Sequence, residues 1–111
     1  MKKYIPVSGN NDVTHIRIDI DYDLGGYSYT TYRQKPRGYY LTVVPVKREE
    51  RYGLMMESFT AFTGYRQLLK EVTRKSAKAE KVAEQIAEEF APIMVRKICE
   101  EKHLTVEEEA A

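Results

Sequence analysis

A chain of 111 residues, with Lys and Arg at 18 against Asp and Glu at 17, can bury one small core and has no net charge that alone demands an anionic partner. No apolar run approaches the roughly 20 residues of a membrane span, and the start MKKYIPVSGNNDV lacks the apolar stretch of a secretory signal, so a cytoplasmic setting is expected. The single Cys99 agrees, having no second cysteine in the chain to bond with.

The chain then reads in order. Residues 1–12, with Pro6 and the turn cluster SGNND, suggest a loosely held start. VTHIRIDIDY alternates: Ile16, Ile18 and Ile20 share one face and Arg17, Asp19 and Asp21 the other, the pattern of a half-buried strand. DLGG turns the chain. YSYTTYRQ suits a pleated surface and ends at KPRG, which predicts a three-residue hairpin loop with a glycine bulge. GYYLTVVPV returns as a strand, with Pro45 at an edge, a bulge or the strand end. After KREERYG, LMMESFTAF reads as a fourth strand, although a helix also fits it.

From Gly64 the period changes. Tyr65, Leu68, Leu69 and Val72 fall at i, i+3, i+4 and i+7, one face of a helix that Thr63 is placed to cap. A second apolar stripe runs Ala79, Val82, Ala83, Ile86, Phe90, Ile93, Met94, Ile98, with Pro92 inside it to kink or restart the helix. One helix from Gly64 to Leu104 would be about 60 Å long at 1.5 Å per residue. A compact domain of this size is on the order of 35 Å across. The comparison favours a break near Ser76 and two helices folded back on the sheet. The expected fold is α+β in two layers: a four-stranded antiparallel meander followed by two C-terminal helices, one domain over 1–111 with 105–111 as a disordered tail.

GYYLTVVPVKREERYG and FTAFTGYRQLLKEVTRKSAKAE together resemble small uncharacterised proteins carried on conjugative mobile elements of gut bacteria. The resemblance covers about half the chain and holds no catalytic motif. It implies an accessory role near DNA processing or its regulation.

Motifs for chemistry are sparse. Asp19, Asp21 and Asp23 open like a calcium loop, but Leu24 and Thr30 stand where glycine and the bidentate Glu are needed, so Asp19 and Asp21 read as a solvated face able to pair with Arg or Lys on the next strand. His15 and His103 have no Cys or Asp at ligand spacing. Cys99 has no histidine beside it and reads as a small core residue. Gly25–Gly26 lacks the spacing of a phosphate loop. Neither an enzyme nor a cofactor or metal site is expected, and no small-molecule substrate is inferred.

Charge is more informative. From Arg33 to Lys81 there are 12 Lys and Arg against 5 Asp and Glu; from Val82 to Ala111 there are 3 against 8. Such asymmetry implies an anionic partner for the basic half, packing of the two halves on each other, or head-to-tail association. Arg66, Lys70, Arg74 and Lys78 recur every four residues, a stripe on a helix that Lys75 and Lys81 widen, and Arg33, Lys35 and Arg37 add to it from the hairpin. Clustered cations are the footprint of a phosphate-binding surface, though they are also ordinary on helix surfaces, where Glu71, Glu80 and Glu84 can pair with them. The tyrosines split by alternation: Tyr27 and Tyr29 share a face with Arg33, Tyr32 lies opposite, and Tyr39 and Tyr40 point apart. All five cannot form one stacking platform, so some are sheet packing.

Two functions follow. One is charge-based binding of DNA or RNA through Arg33, Lys35, Arg37, Arg66, Lys70, Arg74, Lys75 and Lys78. The alternative is a protein-interaction module, a homodimer meeting through a sheet face or the Ala79–Ile98 helix face.

Overall fold

Ile16, Ile18 and Ile20 do share one face of a strand, β2 (His15–Asp23), and that face is the floor of the core. The structure, a computed structural model, describes residues 2–29 and 32–107. Preceding β2 is β1 (Lys2–Ser8); after it come β3 (Gly26–Ser28), β4 (Arg33–Lys35), β5 (Gly38–Arg51), β6 (Leu54–Phe59), β7 (Tyr65–Glu71), the helix α1 (Ala77–Lys102) and β8 (Thr105–Val106). The expected four-stranded meander with two helices is therefore replaced by an antiparallel sheet of six strands, a separate β3–β4 hairpin and one C-terminal helix. The start is not loose, since Lys2–Pro6 pair with His15–Asp19. Thr105 and Val106 pair with Ser8 and Val7, so the expected tail begins as a strand; residues 108–111 lie outside the described residues.

The 14-residue β5 organises the sheet. Its first nine residues pair with β2 along one edge. On the other edge, Val46–Arg51 pair with β6 and Gly38–Val43 pair with β7. β6 and β7 thus run the same way along one neighbour and amount to a single strand interrupted at residues 60–64. Pro45 explains the interruption. Its carbonyl accepts from Thr60 Oγ1 at 3.4 Å, which shows that Pro45 faces this edge, where it offers no N–H to a ladder. The chain returns at Gly64, where a Cβ would sit 2.3 Å from the Val43 carbonyl oxygen.

The helix expected over Tyr65–Val72 is β7. Tyr65 and Leu69 face the core, Leu68 faces the other side beside Tyr40, and the pairing slips between Tyr39 and Tyr40. A strand with apolar residues on both faces and a bulge reproduces the i, i+3, i+4 spacing of a helix.

α1 begins where the break was expected. Ser76 is extended (φ −153°, ψ 149°), and its hydroxyl accepts from the Ala79 N–H at 3.1 Å. Tyr39 fixes this end to the sheet, its hydroxyl donating to the Ser76 carbonyl at 3.2 Å. The helix ends at His103, left-handed at φ 55°, whose N–H donates to the Cys99 carbonyl. Pro92 neither breaks nor restarts it; the proline sits on the exposed side. At 26 residues α1 spans about 39 Å, matching a molecule of 40 × 35 × 32 Å.

Ala79, Ala83, Ala87 and Ala91 form the helix stripe nearest the sheet, so the two layers approach closely. Ile16, Leu41 and Val43 beneath them are fully buried, each side chain contributing about 1.5–3 kcal/mol. Most of the Ala79–Ile98 face packs on the sheet here rather than standing free for a dimer contact, while Ile93 of that stripe stays 58% exposed. Among the described residues no helix is long and apolar enough to cross a membrane.

Candidate nucleic-acid interface

The two basic segments separated in sequence meet at one end of the sheet. There β2 ends, β5 begins, β7 ends and α1 starts. Asp23, the last residue of β2, anchors the β3–β4 hairpin: its carboxylate accepts from Lys35 Nζ at 2.6 Å, from the Gly25 N–H at 2.8 Å and from Arg66 Nη2 at 3.1 Å. The Lys35 hydrogen bond, then the Gly25 N–H, pull its pKa from 3.8 to about 2 despite some desolvation. Gly25 permits this neck, since at φ +72° any Cβ would lie 2.5 Å from the Lys35 carbonyl oxygen. The stretch KPRG is therefore not the hairpin loop that was expected. Lys35 ends β4, and Pro36 and Arg37 link it to β5, with the Tyr40 hydroxyl donating to the Pro36 carbonyl at 2.7 Å.

Arg37 couples the link between β2 and β3 to the connection that leads from β7 to α1. Its Nε donates to the Leu24 carbonyl at 3.0 Å and its Nη1 to the Thr73 carbonyl at 3.2 Å. The Val72 N–H returns a bond to the Arg37 carbonyl at 3.0 Å. Arg66 is also occupied. It makes a two-point pair with Asp21, donates to Thr42, and lies 4.6 Å from the Tyr40 ring centre, with Lys35 Nζ 5.0 Å from the same centre. Asp21 thus finds its arginine two strands away rather than on the adjacent one.

The helical stripe does not exist as such. Arg66 is on β7, Lys70 at the bulge, Arg74 and Lys75 in the connection, and Lys78 in the first turn of α1, with Lys81 a turn later. Arg66, Lys35 and Arg37 hold the structure together. Arg33, Lys70, Arg74 and Lys78 are exposed and form no ion pair with another described residue. Lys75 Nζ lies 5.5 Å from the centre of the Tyr22 ring and is otherwise exposed. These cations and the start of α1, with its positive dipole end, lie toward the same end of the sheet.

The tyrosines divide cleanly. Tyr39 and Tyr40 are sheet packing, 4% and 6% exposed. Tyr27, Tyr29 and Tyr32 are 50%, 82% and 77% exposed on the hairpin, whose tip residues 30 and 31 lie outside the described residues. Tyr27 and Tyr29 do sit together, edge to face at 5.1 Å. Arg33, however, pairs with Ser28, one step out of phase, so it stands on the opposite face from those two rings.

A second cluster on the same open face of the sheet escaped the sequence argument. Arg17 Nη1 donates to Glu57 at 2.6 Å, the Tyr4 hydroxyl donates to the same carboxylate, and the Arg48 guanidinium lies 3.8 Å from the centre of the Tyr4 ring. Burial works to raise the Glu57 pKa, but these hydrogen bonds prevail and hold it below the ordinary value. The signal in the sequence was Arg17 alternating with Ile16 and Ile18; its partner, 40 positions on, had none. Burial pushes the Cys99 thiol up, which keeps it protonated. Among the described residues no group of side chains could hold a metal ion. Comparison of the chain with protein families, with characterised proteins and with solved structures finds no match.

Proposed function

We propose that the protein binds single-stranded DNA or RNA at the end of the sheet that carries the tyrosine hairpin. The observation that carries this is that exposed Tyr27, Tyr29 and Tyr32 stand on a hairpin anchored at the same end of the sheet as the exposed cations Lys70, Arg74 and Lys78, with Arg33 on the hairpin's other face. Exposed rings offer faces for bases, and cations beside them neutralise phosphates without reading sequence. The duplex is the weaker fit, because stacking on a side chain needs an unstacked base.

The test is a salt titration of binding to short fluorescent single strands and the matching duplex. The control is Arg33→Glu/Arg74→Glu/Lys78→Glu. Binding that weakens with salt, prefers the single strand and is lost in the control supports the proposal. No binding at low salt overturns it.

One observation favours the second reading, a homodimer. Every residue of β6 is exposed, it is an edge strand, and Leu54, Met55, Met56 and Phe59 lie 53–72% exposed along it. An apolar edge of this kind is suited to pairing with another strand. Light scattering on the wild type and on Met56→Lys decides it: a dimer mass that falls to the monomer in the variant favours association through β6.

A further inference from the structure

We propose that the part of the β1 edge that no described strand covers, with the groove between that edge and α1, docks an extended acidic peptide as an additional antiparallel strand. The site is separate from the tyrosine hairpin and does not depend on the function proposed above.

The edge comes first. β8 covers β1 only at Val7 and Ser8, and the Glu107 N–H then donates to the Pro6 carbonyl at 2.9 Å. Alternate residues of a strand turn their N–H and C=O to the same side. Tyr4 and Lys2 therefore present theirs on the side of the Pro6 carbonyl, where no described strand pairs with them. Pro6 itself is tolerated because the N–H it lacks belongs to this edge. The upper part of the edge already accepts an antiparallel strand, so a docked peptide would extend an existing ladder.

The groove supplies the second half. Below the edge is a cavity of about 490 Å³, floored by Ile5 and Ile18 and walled by Ala87 and Ala91. It exists because α1 is asymmetric. Helical spacing places Phe90 and Met94 on the flank of Lys97, which lies over the Tyr65 ring of β7, whereas the apolar side chains on the flank toward β1 are the smaller Ala87, Ala91, Pro92, Val95 and Cys99. A strand laid beside β1 would send every second side chain into that space, the usual division between backbone affinity and side-chain selection. Small branched side chains such as valine suit its width.

Charge selects the occupant. Lys3 and Arg96 are exposed on the lining and form no ion pair with another described residue; the lining has one acid, Glu88. Two copies pairing through this edge would set Lys2 and Lys3 against their equivalents, so a second copy is disfavoured and an acidic strand favoured.

The experiment titrates a blocked nonapeptide of alternating valine and glutamate into ¹⁵N-labelled full-length protein. The expected result is shifts at Ile5 and Ala91 and at least about tenfold slower hydrogen exchange at the Tyr4 amide. The same peptide methylated on alternate backbone nitrogens should bind at least about tenfold more weakly, a single lost hydrogen bond being worth up to about that factor. A valine–lysine peptide should also bind about tenfold more weakly, and the exposed double variant Lys3→Glu/Arg96→Glu should reverse that order. Four results overturn the proposal: no binding, equal binding of the methylated peptide, an unreversed charge preference, or a Tyr4 amide already slow in the free protein. Sodium dodecanoate is titrated in parallel. If it alone shifts the groove residues, the groove is an amphiphile pocket and the proposal falls.

Discussion

Arg66 and Asp21 hold each other across an intervening strand. The two guanidinium nitrogens of Arg66 on β7 lie 2.8 and 2.9 Å from the two carboxylate oxygens of Asp21 on β2, and Thr42 of β5, between them, accepts from the same Nη1 at 2.6 Å. The geometry ties three strands at a point the sequence offered as a ligand contact. Arg66→Ala should lower stability by about 1 kcal/mol, the scale of a well-aligned pair near the surface. Urea unfolding measures it. In the same variant, oligonucleotide affinity should stay within about twofold of wild type.

Acid should loosen the hairpin neck before the sheet. Asp23 has its pKa lowered from 3.8 to about 2 by Lys35 and the Gly25 N–H. A carboxylate depressed in the folded state contributes stability that is complete above the unfolded value and is lost as pH falls from about 4 toward about 2. Thermal melts from pH 6 to pH 2 should show this loss, and Asp23→Asn should flatten it. An unchanged acid slope in the variant would remove Asp23 from the account.

Stacking and charge should separate in binding experiments. Tyr29→Ala and Tyr32→Ala remove exposed rings, so stability should be unaffected while single-strand affinity falls about tenfold each, given about 1–3 kcal/mol per stacked base. The salt slope should not change. Arg74→Ala should instead reduce the slope by about one phosphate. A tyrosine variant that binds as wild type would leave the hairpin without a part in binding.

Close backbone contact makes Gly38 intolerant. A Cβ there would lie 2.2 Å from the Lys70 carbonyl oxygen on β7, and backbone cannot step aside. Gly38→Ala should cost about 2–3 kcal/mol, seen as a lower urea midpoint. Pro92 should give the opposite sign. It lies on the exposed side of an intact helix, so Pro92→Ala restores an N–H and should raise stability by about 1–3 kcal/mol.

The legible parts of this fold were those where one physical demand acts alone. β2 alternates because one face is buried and the other is not, and a break near Ser76 was legible because an unbroken helix would outrun the domain; that Ser76 caps α1 was not read from the sequence. β7 was misread because Leu68 packs beside Tyr40 on the open face while Leu69 enters the core, and only the bulge reconciles them. β1 was missed because Pro6 reads as a breaker, whereas at an edge its missing N–H costs nothing. Of the site, the sequence offered the cations but not their division. Whether Lys35, Arg37 and Arg66 are structural or available depends on Asp23, Thr73 and Asp21, partners that only the folded chain brings near.

The pairing of β8 with β1 at the edge of the sheet brings together the two ends of the described chain. During synthesis, β1 and β2 can form a hairpin early, and the β5–β6 hairpin soon after, each from neighbours in sequence. The β1–β8 contact must wait until α1 has been made and laid across the sheet. Such distant pairing is slow to form, because the intervening loop must be closed before any contact compensates for it. Until then the Val7 and Ser8 end of β1 has no strand on its outer side, and a nascent chain stalled within α1 would expose it to whatever strand is nearest.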